Sequence, residues 1–382
     1  MGGYARLLAQ KVNRKKHTMQ DVIIIGGGLC GMTIAYQLKK RGVGVKVLEA
    51  QNRMGGRIET RYGNRNTPME MGATWFSVEH RNLLALLAEL NIGHFEQHTE
   101  GVALFETISF EPPQQYFVPA NTQSAFRIKG GTSSIICALQ DGMGNGDLVL
   151  NTQVTEITDE GDHISITDSL QNNFFCKLVI VALPPKLLVH TIIFSPAIPQ
   201  YLQQVMLQTQ TWMSGSAKFS VEYKKAFWKD RGFSGSVFSQ SGLATEIYDH
   251  TNFEETKFAI KGFLNGSANH YAFEERKEKV ITQLTHYFGD EALDYLSYND
   301  KVWNDSYIQT EIESFLPPHA NNGHPLFEES YMMNKLLFAG TETSKQFGGY
   351  MEGAILAANS TAAKVLALRS TSQPGVGDQP DR

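Results

Sequence analysis

The sequence predicts an α/β protein of two domains, an α+β arrangement in which a Rossmann-like domain is interleaved with a second domain built on a mainly antiparallel sheet plus helices. Three observations carry that expectation. Asp21 to Arg57 reads as strand, tight glycine turn, helix and strand, with an acid closing the second strand. From Leu148 to Asp168 the pattern changes to alternating apolar and polar residues broken by Asp/Gly turns, as in an antiparallel meander. Leu336 to Ala339 is again a short apolar run, and it leads into a loop and a long final helix. A chain of 382 residues has room for two cores.

The first unit has the most specific chemistry. Val22 to Ile25 form a continuous apolar run, as expected of a parallel strand covered on both faces, and Gly26, Gly28 and Gly31 follow as G-x-G-x-x-G. Gly26 permits the sharp turn, Gly28 lets a pyrophosphate approach the backbone, and Gly31 lets the helix pack against the strand with its N-terminus aimed at the phosphates. Glu49 ends the second strand, 18 residues after Gly31. A carboxylate there accepts hydrogen bonds from both ribose hydroxyls and repels a 2′-phosphate, which disfavours NADP. Gly55-Gly56-Arg57 then follows, where an ordinary dehydrogenase begins its next helix. Read alone, this is a surface turn with a solvated arginine; in context it offers close backbone approach and a fixed cation.

With these residues the chain resembles the glutathione-reductase-like FAD fold, and within it the flavin amine oxidase superfamily. The resemblance runs from about Asp21 to Leu368 and closes on its strongest segment, Ala339-Gly340-Thr341-Glu342-Thr343 and Gly349-Tyr350-Met351-Glu352-Gly353-Ala354, which resembles the closing motif of monoamine oxidases nearly residue for residue. It implies FAD, with 19–77, 126–199 and 331–369 forming the cofactor domain and 78–125 with 200–330 the substrate domain. Residues 1–18 and 370–382 read as disordered tails.

Further cofactor contacts follow from the resemblance. Gly72, Ala73 and Thr74 in PMEMGATWF pass close to the flavin ring, Val154 meets the adenine, and Trp303 joins them. Gly340 belongs to the closing motif, Glu342 holds a ribityl hydroxyl, and the N–H of Met351 meets the flavin carbonyl. Gly348 and Gly349 before a helix leave free N–H groups and a positive dipole end, suited to the negative charge of reduced flavin. Without the N-terminal unit, the same residues would read as a capped helix preceded by an acidic loop.

Two residues are expected to be catalytic. Lys218 lies in SAKFSVEY, where Ala217, Phe219 and Val221 alternate with Ser216, Lys218, Ser220 and Glu222. Alternation alone makes it a lysine on a solvated strand face; the resemblance of AKFSVEYKKAFW to the family strand whose lysine holds a water at flavin N5 makes it functional. Tyr350 matches a tyrosine that flanks the amine before the flavin. Its facing tyrosine is missing: the alignment of Phe315-Leu316-Pro317-Pro318 puts Glu311 or Ile312 there. Trp303 to Pro318 also contains no cysteine for a covalent flavin bond, so FAD is expected to be non-covalent.

The rest of the chain carries coarser signals. Glu79 to Leu90 has a broad leucine face that belongs to a core. His94 and His98 stand four apart in a segment that does not read as helix and lack a third ligand, so no metal is expected. Phe95 to Ala125, with Pro112, Pro113 and Pro119, reads as irregular. Phe126 to Leu139 reads as a Gly130-Gly131 turn opening a helix, and Phe174 to Leu183 as a buried strand. Strands are expected at Ser216 to Tyr223, Ala244 to Asp249 and Lys257 to Leu264, and a helix at Glu274 to Phe288.

Composition excludes several classes. Hydrophobic content of 42%, charged content of 19% and a net charge of −5 describe a globular chain with no basic footprint for nucleic acid. No apolar run approaches the ~18 residues of a membrane span. Cys30, Cys137 and Cys176 form no C-x-x-C, which fits a reducing compartment, and cytoplasmic is the expectation. Residues 1–20 lack a signal peptide's apolar region, Arg6 breaks a myristoylation pattern, and Met19 is an alternative start. No hydrolase, zinc-peptidase or P-loop motif is present, and Gly142, Gly144 and Gly146 have no strand before them to open an NADPH site.

The expected reaction is therefore oxidation of a neutral amine to an imine, which water takes to a carbonyl product and ammonia, with dioxygen reduced to hydrogen peroxide. An L-amino acid oxidase stays open, although no arginine for the carboxylate is identified. So do a relative acting on carbon–carbon bonds, of the carotenoid or protoporphyrinogen type, and a flavoprotein whose FAD is structural. Oligomeric state is not readable.

Overall fold

The computed structural model describes residues 19–108, 111–120, 125–304 and 316–372. The chain is a mixed α/β protein organised on two large sheets. The first has a parallel centre in the spatial order Leu148–Val149, Val45–Leu48, Gln20–Ile25, Asn173–Val181 and Leu336–Phe338. Asn173–Val181 serves two neighbours along one edge. Its first half pairs antiparallel with Ile164–Asp168, and its last three residues pair parallel with Leu336–Phe338.

The uninterrupted apolar run of the first strand follows from burial on both faces. Val22 and Ile24 enter one core with the helix Leu29–Lys40 and the final helix Met351–Ser372. Ile23 and Ile25 enter a second core on the opposite face, with Leu202 and Met206 of the helix Gln200–Leu207 and with Phe327. The parallel strands thus end together at Glu49, Gly26, Ala182 and Ala339, where the chain turns to meet a ligand.

The second sheet runs in the order Ser297–Val302, Ala217–Tyr223, Phe258–Leu264, Ala244–Asp249, Phe233–Ser239, Gly101–Glu106 and Gln114–Val118. All its pairings are antiparallel except that of Phe233–Ser239 with Gly101–Glu106. The helix Phe273–Phe288 covers one face, burying Val280, Ile281, Leu284 and Phe288 against Phe219, Val221 and Trp228. Each such side chain contributes about 1.5–3 kcal/mol by leaving water.

One expectation is corrected here, and the solvated-face reading of Lys218 is set aside. The stretch after Phe95 is not irregular: His94–Glu96, Gly101–Glu106 and Gln114–Val118 are strands. Gly101–Glu106 is fixed by Phe233–Ser239, more than 120 residues later, so tertiary pairing overrides the proline-rich local signal. The face of Ala217–Tyr223 that carries Lys218 is not solvated. All seven residues of that strand are buried. The alternation is real, but its polar side is covered by the segment 59–74: Glu222 accepts from Thr67 Oγ1 at 2.5 Å and from the N–H of Arg65 at 3.0 Å.

The leader 1–18, the residues 373–382 of the tail, and the Glu311/Ile312 position of the missing tyrosine lie outside the described residues. No helix among the described residues is long and apolar enough to cross a membrane. The described residues hold no cluster of three metal-ligating side chains. His94 lies instead against the rings of Phe76 and Phe126.

Candidate active site

The C-terminal ends of the parallel strands open into a cleft of about 1130 Å³. Gly26, Gly28, Glu49, Gly56, Arg57, Ala73, Val154, Gly340, Glu342, Tyr350 and Met351 all line it. A second cavity of about 820 Å³ continues from it, sharing Arg57, Ala73, Gly349, Tyr350 and Met351, and adds Gly72, Thr74, Lys218 and Trp303. Of the site residues expected from sequence, Gly31 and Gly348 are outside both. A Cβ on Gly31 would meet the Gly26 carbonyl oxygen at 2.1 Å, so the part of Gly31 is to let helix and turn touch.

One end of the cleft is made of backbone. Gly26 has φ +105°, Gly55 +115° and Gly56 +54°, the region that glycine alone enters without cost. Gly55 donates to the Gly27 carbonyl at 2.8 Å, which brings the Gly55-Gly56-Arg57 turn over the first glycine turn. A Cβ on Gly28 would meet nothing within 4 Å: the space beside it is open cleft. Glu49 is held by the N–H of Gly27 at 2.6 Å and of Gln51 at 2.9 Å. Burial pushes its carboxyl up, and those two N–H groups with the nearby Arg53 pull it back.

At the other end, Arg57 and Glu342 form an ion pair across 285 residues. Nη2 donates to Oε2 at 2.9 Å, and Nη1 lies 2.6 Å from Oε1 without the alignment of a hydrogen bond. Glu342 is fully buried, and its Oε1 is left with no hydrogen-bond donor. The final helix starts at Met351, after Gly349 at φ +88°. Thr341 Oγ1 ties the Tyr350 carbonyl at 2.7 Å, so the strand end and helix start are one rigid corner.

The second cavity has an aromatic wall that sequence reasoning largely missed: Trp75, Trp212 and Phe263 join Trp303 and Tyr350. Trp212 stands beside Tyr350, with ring centroids 6.1 Å apart, and His319 stacks on Trp212 at 4.3 Å. Gly349 makes this possible, since a Cβ there would meet Trp212 Cβ at 2.4 Å. No local pattern announced Trp212, because TQTWMSG has neither strand nor helix period. Lys218 Nζ donates to the Gly72 carbonyl at 2.8 Å, and burial lowers its pKa to about 8. Trp303 Nε1 donates to the Met71 carbonyl at 2.7 Å.

These residues fit FAD on their own terms. Gly28 leaves the space a pyrophosphate needs, the carboxylate of Glu49 stands where a ribose would be met, and the orphaned Glu342 Oε1 is a buried acceptor awaiting a hydroxyl. The chain matches the family described as flavin containing amine oxidoreductase over residues 29–109 and 106–366. It is similar to the probable flavin-containing monoamine oxidase A of Dictyostelium discoideum, 25% identical over 88% of this chain and 95% of that protein. It is also similar to putrescine oxidase of Kocuria rosea, 25% identical over 73% of this chain and 81% of that protein. Its fold is similar to that of cyclohexylamine oxidase from Brevibacterium oxydans IH-35A, with a TM-score of 0.79 and 19% identity, covering 92% of this chain and 100% of that one. The match takes in most of the described chain, from the helix Leu29–Lys40 into the final helix, and the chain therefore belongs to the flavin-containing amine oxidoreductases, with FAD as its cofactor.

Proposed function

We propose that this amine oxidoreductase acts on a compact apolar monoamine, with dioxygen as electron acceptor and FAD held non-covalently. The observation that carries the substrate class is the lining of the second cavity. Five aromatic side chains form it, and among its described residues there is no carboxylate to receive a second ammonium. Of its two cations, Arg57 is paired with Glu342 and Lys218 Nζ donates to the Gly72 carbonyl. The second ammonium of a diamine would stay unpaired there.

In this reading the segments 19–77, 126–199 and 331–369 hold the cofactor, while 78–125 and 200–330 build the substrate side. Bound FAD supplies the two-electron acceptor for the amine's carbon–nitrogen bond. Gly28 and Gly56 admit the pyrophosphate, Glu49 the ribose, and Glu342 with Arg57 the ribityl chain. Met351 begins a helix whose positive end favours negative charge on the reduced ring system. Tyr350 and Trp212 exclude water and offer π-faces to the amine. Lys218 holds a proton at Nζ in a dry setting and orients water or dioxygen. The amine loses two electrons and two protons to become an imine; water converts this to aldehyde and ammonia, and dioxygen takes up the two electrons and two protons to leave as hydrogen peroxide. Non-covalent attachment is supported by Cys30, the one cysteine that lines the cofactor cleft: burial pushes its thiol up to about 12, far from a nucleophilic thiolate.

Anaerobic mixing with aryl and alkyl monoamines, diamines, polyamines and L-amino acids tests this. Rapid bleaching of the flavin by monoamines, reversed by air with stoichiometric peroxide, is the expected result. Bleaching by amino acids or diamines alone would overturn the substrate class, and a spectrum unmoved by the whole panel would overturn amine oxidation.

A further inference from the structure

A second lysine lies behind the cavity and has no part in the reaction described so far. Lys261, in the strand Phe258–Leu264, is completely buried. That strand pairs antiparallel with Ala217–Tyr223 so that Lys218 faces Phe263 and Ser220 faces Lys261. The two lysines therefore project from the same face, one diagonal step apart, about 7–8 Å between backbones. They grip the same short segment. Lys218 Nζ donates to the Gly72 carbonyl at 2.8 Å, and Lys261 Nζ donates to the Glu70 carbonyl at 2.6 Å and to Thr74 Oγ1 at 2.5 Å. Thr74 Oγ1 donates in turn to the Gly72 carbonyl at 3.1 Å. Gly72 and Thr74 both line the cavity.

The charge balance around the pair is one-sided. Glu70 is the buried carboxylate from the segment beneath, but its oxygens are taken by Thr60 Oγ1 and the N–H of Thr132. Glu246 on the neighbouring strand bonds Tyr248. Lys301, opposite Lys218 on the other neighbouring strand, is another cation, paired with Glu59. Arg127 is buried on the far side of Glu70 against His250, and Arg57 stands across the cavity with Glu342. Neither Lys218 nor Lys261 has a carboxylate at ion-pair distance among the described residues. Two unpaired ammonium groups this close, both out of water, are a costly arrangement that losing one proton relieves.

We propose that Lys261 is a positioning residue of the oxidation site, forming with Lys218 a two-amine unit that shares one proton on the buried side of the cofactor. This rests on the reading of Lys218 as the lysine of the reaction. Such a pair titrates in two steps belonging to both groups. Burial first and the neighbouring Lys218 second lower Lys261, with Glu70 opposing them, in keeping with this. The consequence is that the charge behind Gly72 and Thr74 is set by a pair and responds to what stands at 261.

The test is the pH dependence of anaerobic flavin reduction by a reactive amine in the FAD-loaded protein. Lys261→Gln keeps a donor for the Glu70 carbonyl and Thr74 but carries no charge. Lys261→Arg carries a charge that no accessible pH removes. The Lys218 ionisation is expected roughly one to two pH units lower in the Arg variant than in the Gln variant. Lys218→Met identifies that ionisation by abolishing it. If Lys218→Met abolishes it while the Gln and Arg variants titrate together, the two-amine unit is overturned and the role of Lys218 stands. If Lys218→Met leaves it in place, the assignment of Lys218 fails and the proposal falls with it. Should Lys261→Arg not retain FAD, the Gln variant against the parent decides: loss of the lower of two ionisations supports the pair, and two retained ionisations overturn it.

Discussion

Gly28 caps the helix Leu29–Lys40 and Gly31 lies three residues on inside it, and the structure gives them opposite failure modes. Gly28 has φ −71° and ψ 177°, a conformation open to any residue, and an added Cβ would meet nothing within 4 Å. Gly28→Ala should therefore leave the apo fold within about 1 kcal/mol of the parent, since no contact is lost and the unfolded chain is slightly restricted. Its methyl group points into the space that the cofactor phosphates need, so FAD should bind about 30- to 150-fold more weakly, corresponding to about 2–3 kcal/mol. Gly31→Ala puts its Cβ 2.1 Å from the Gly26 carbonyl oxygen, where ordinary contacts exceed 3 Å. Helix and turn must part, at a cost of about 1–3 kcal/mol or more even without FAD. Urea unfolding of the apo proteins, repeated with a fixed FAD concentration, separates the two. The parent and Gly31→Ala should gain stability from FAD, whereas Gly28→Ala should gain little. Equal FAD stabilisation of Gly28→Ala and the parent would refute the assignment of the cleft beside Gly28 to the phosphates.

Other expectations follow from the same geometry. Lys218 is depressed to about 8 from its usual 10.5, so between those values the unfolded chain holds a proton that the folded one has lost, and stability rises with pH through that window. The increment is about 3 kcal/mol, and Lys218→Met should remove it from the difference between pH 8 and 10.5 in urea unfolding; an identical difference in both proteins contradicts a dry Lys218. In the same variant FAD should stay bound while anaerobic reduction or reoxidation by oxygen slows, as stopped-flow absorbance would report. Glu342→Gln removes a buried carboxylate that Arg57 needs and should weaken FAD binding about 10- to 100-fold, read by fluorescence titration. Trichloroacetic acid should release the flavin to the supernatant, and a yellow pellet would exclude non-covalent attachment.

What could be read from the chain was what is enforced locally. Gly26, Gly55 and Gly56 sit at positive φ and Glu49 at the end of a short strand, so the phosphate and ribose end of the cleft is written in residue types at fixed spacing. The closing corner is equally local: Gly349 must accept both a positive φ and the side chain of Trp212. Lys218 was harder. Its alternation fixes which face it occupies but not what covers that face, and the cover comes from residues 59–74, about 150 positions earlier. The strand Gly101–Glu106 was missed for the same reason, since its distant partner is Phe233–Ser239, and Gln114–Val118 pairs onto it in turn.

The substrate wall is the extreme case. Trp75, Trp212, Phe263, Trp303 and Tyr350 come from five separate segments, and only Trp303 and Tyr350 stood out beforehand. Lys261 was equally silent, because a lysine in FAIKGFL carries no sign that Thr74 and the Glu70 carbonyl will meet it. The cofactor motifs must satisfy a constant ligand within short stretches of chain, whereas the substrate wall is assembled at a distance and is free to differ between chains that share those motifs. Trp212 is the sharpest instance: it is held by Gly349 and by His319, both far away in sequence, and it stands beside the ring expected to face the amine. Trp212→Ala should therefore change which amines bleach the flavin while leaving FAD affinity near that of the parent. A parallel loss of rate for every amine, with FAD binding also weakened, would mean that Trp212 supports the cofactor corner and does not select the substrate.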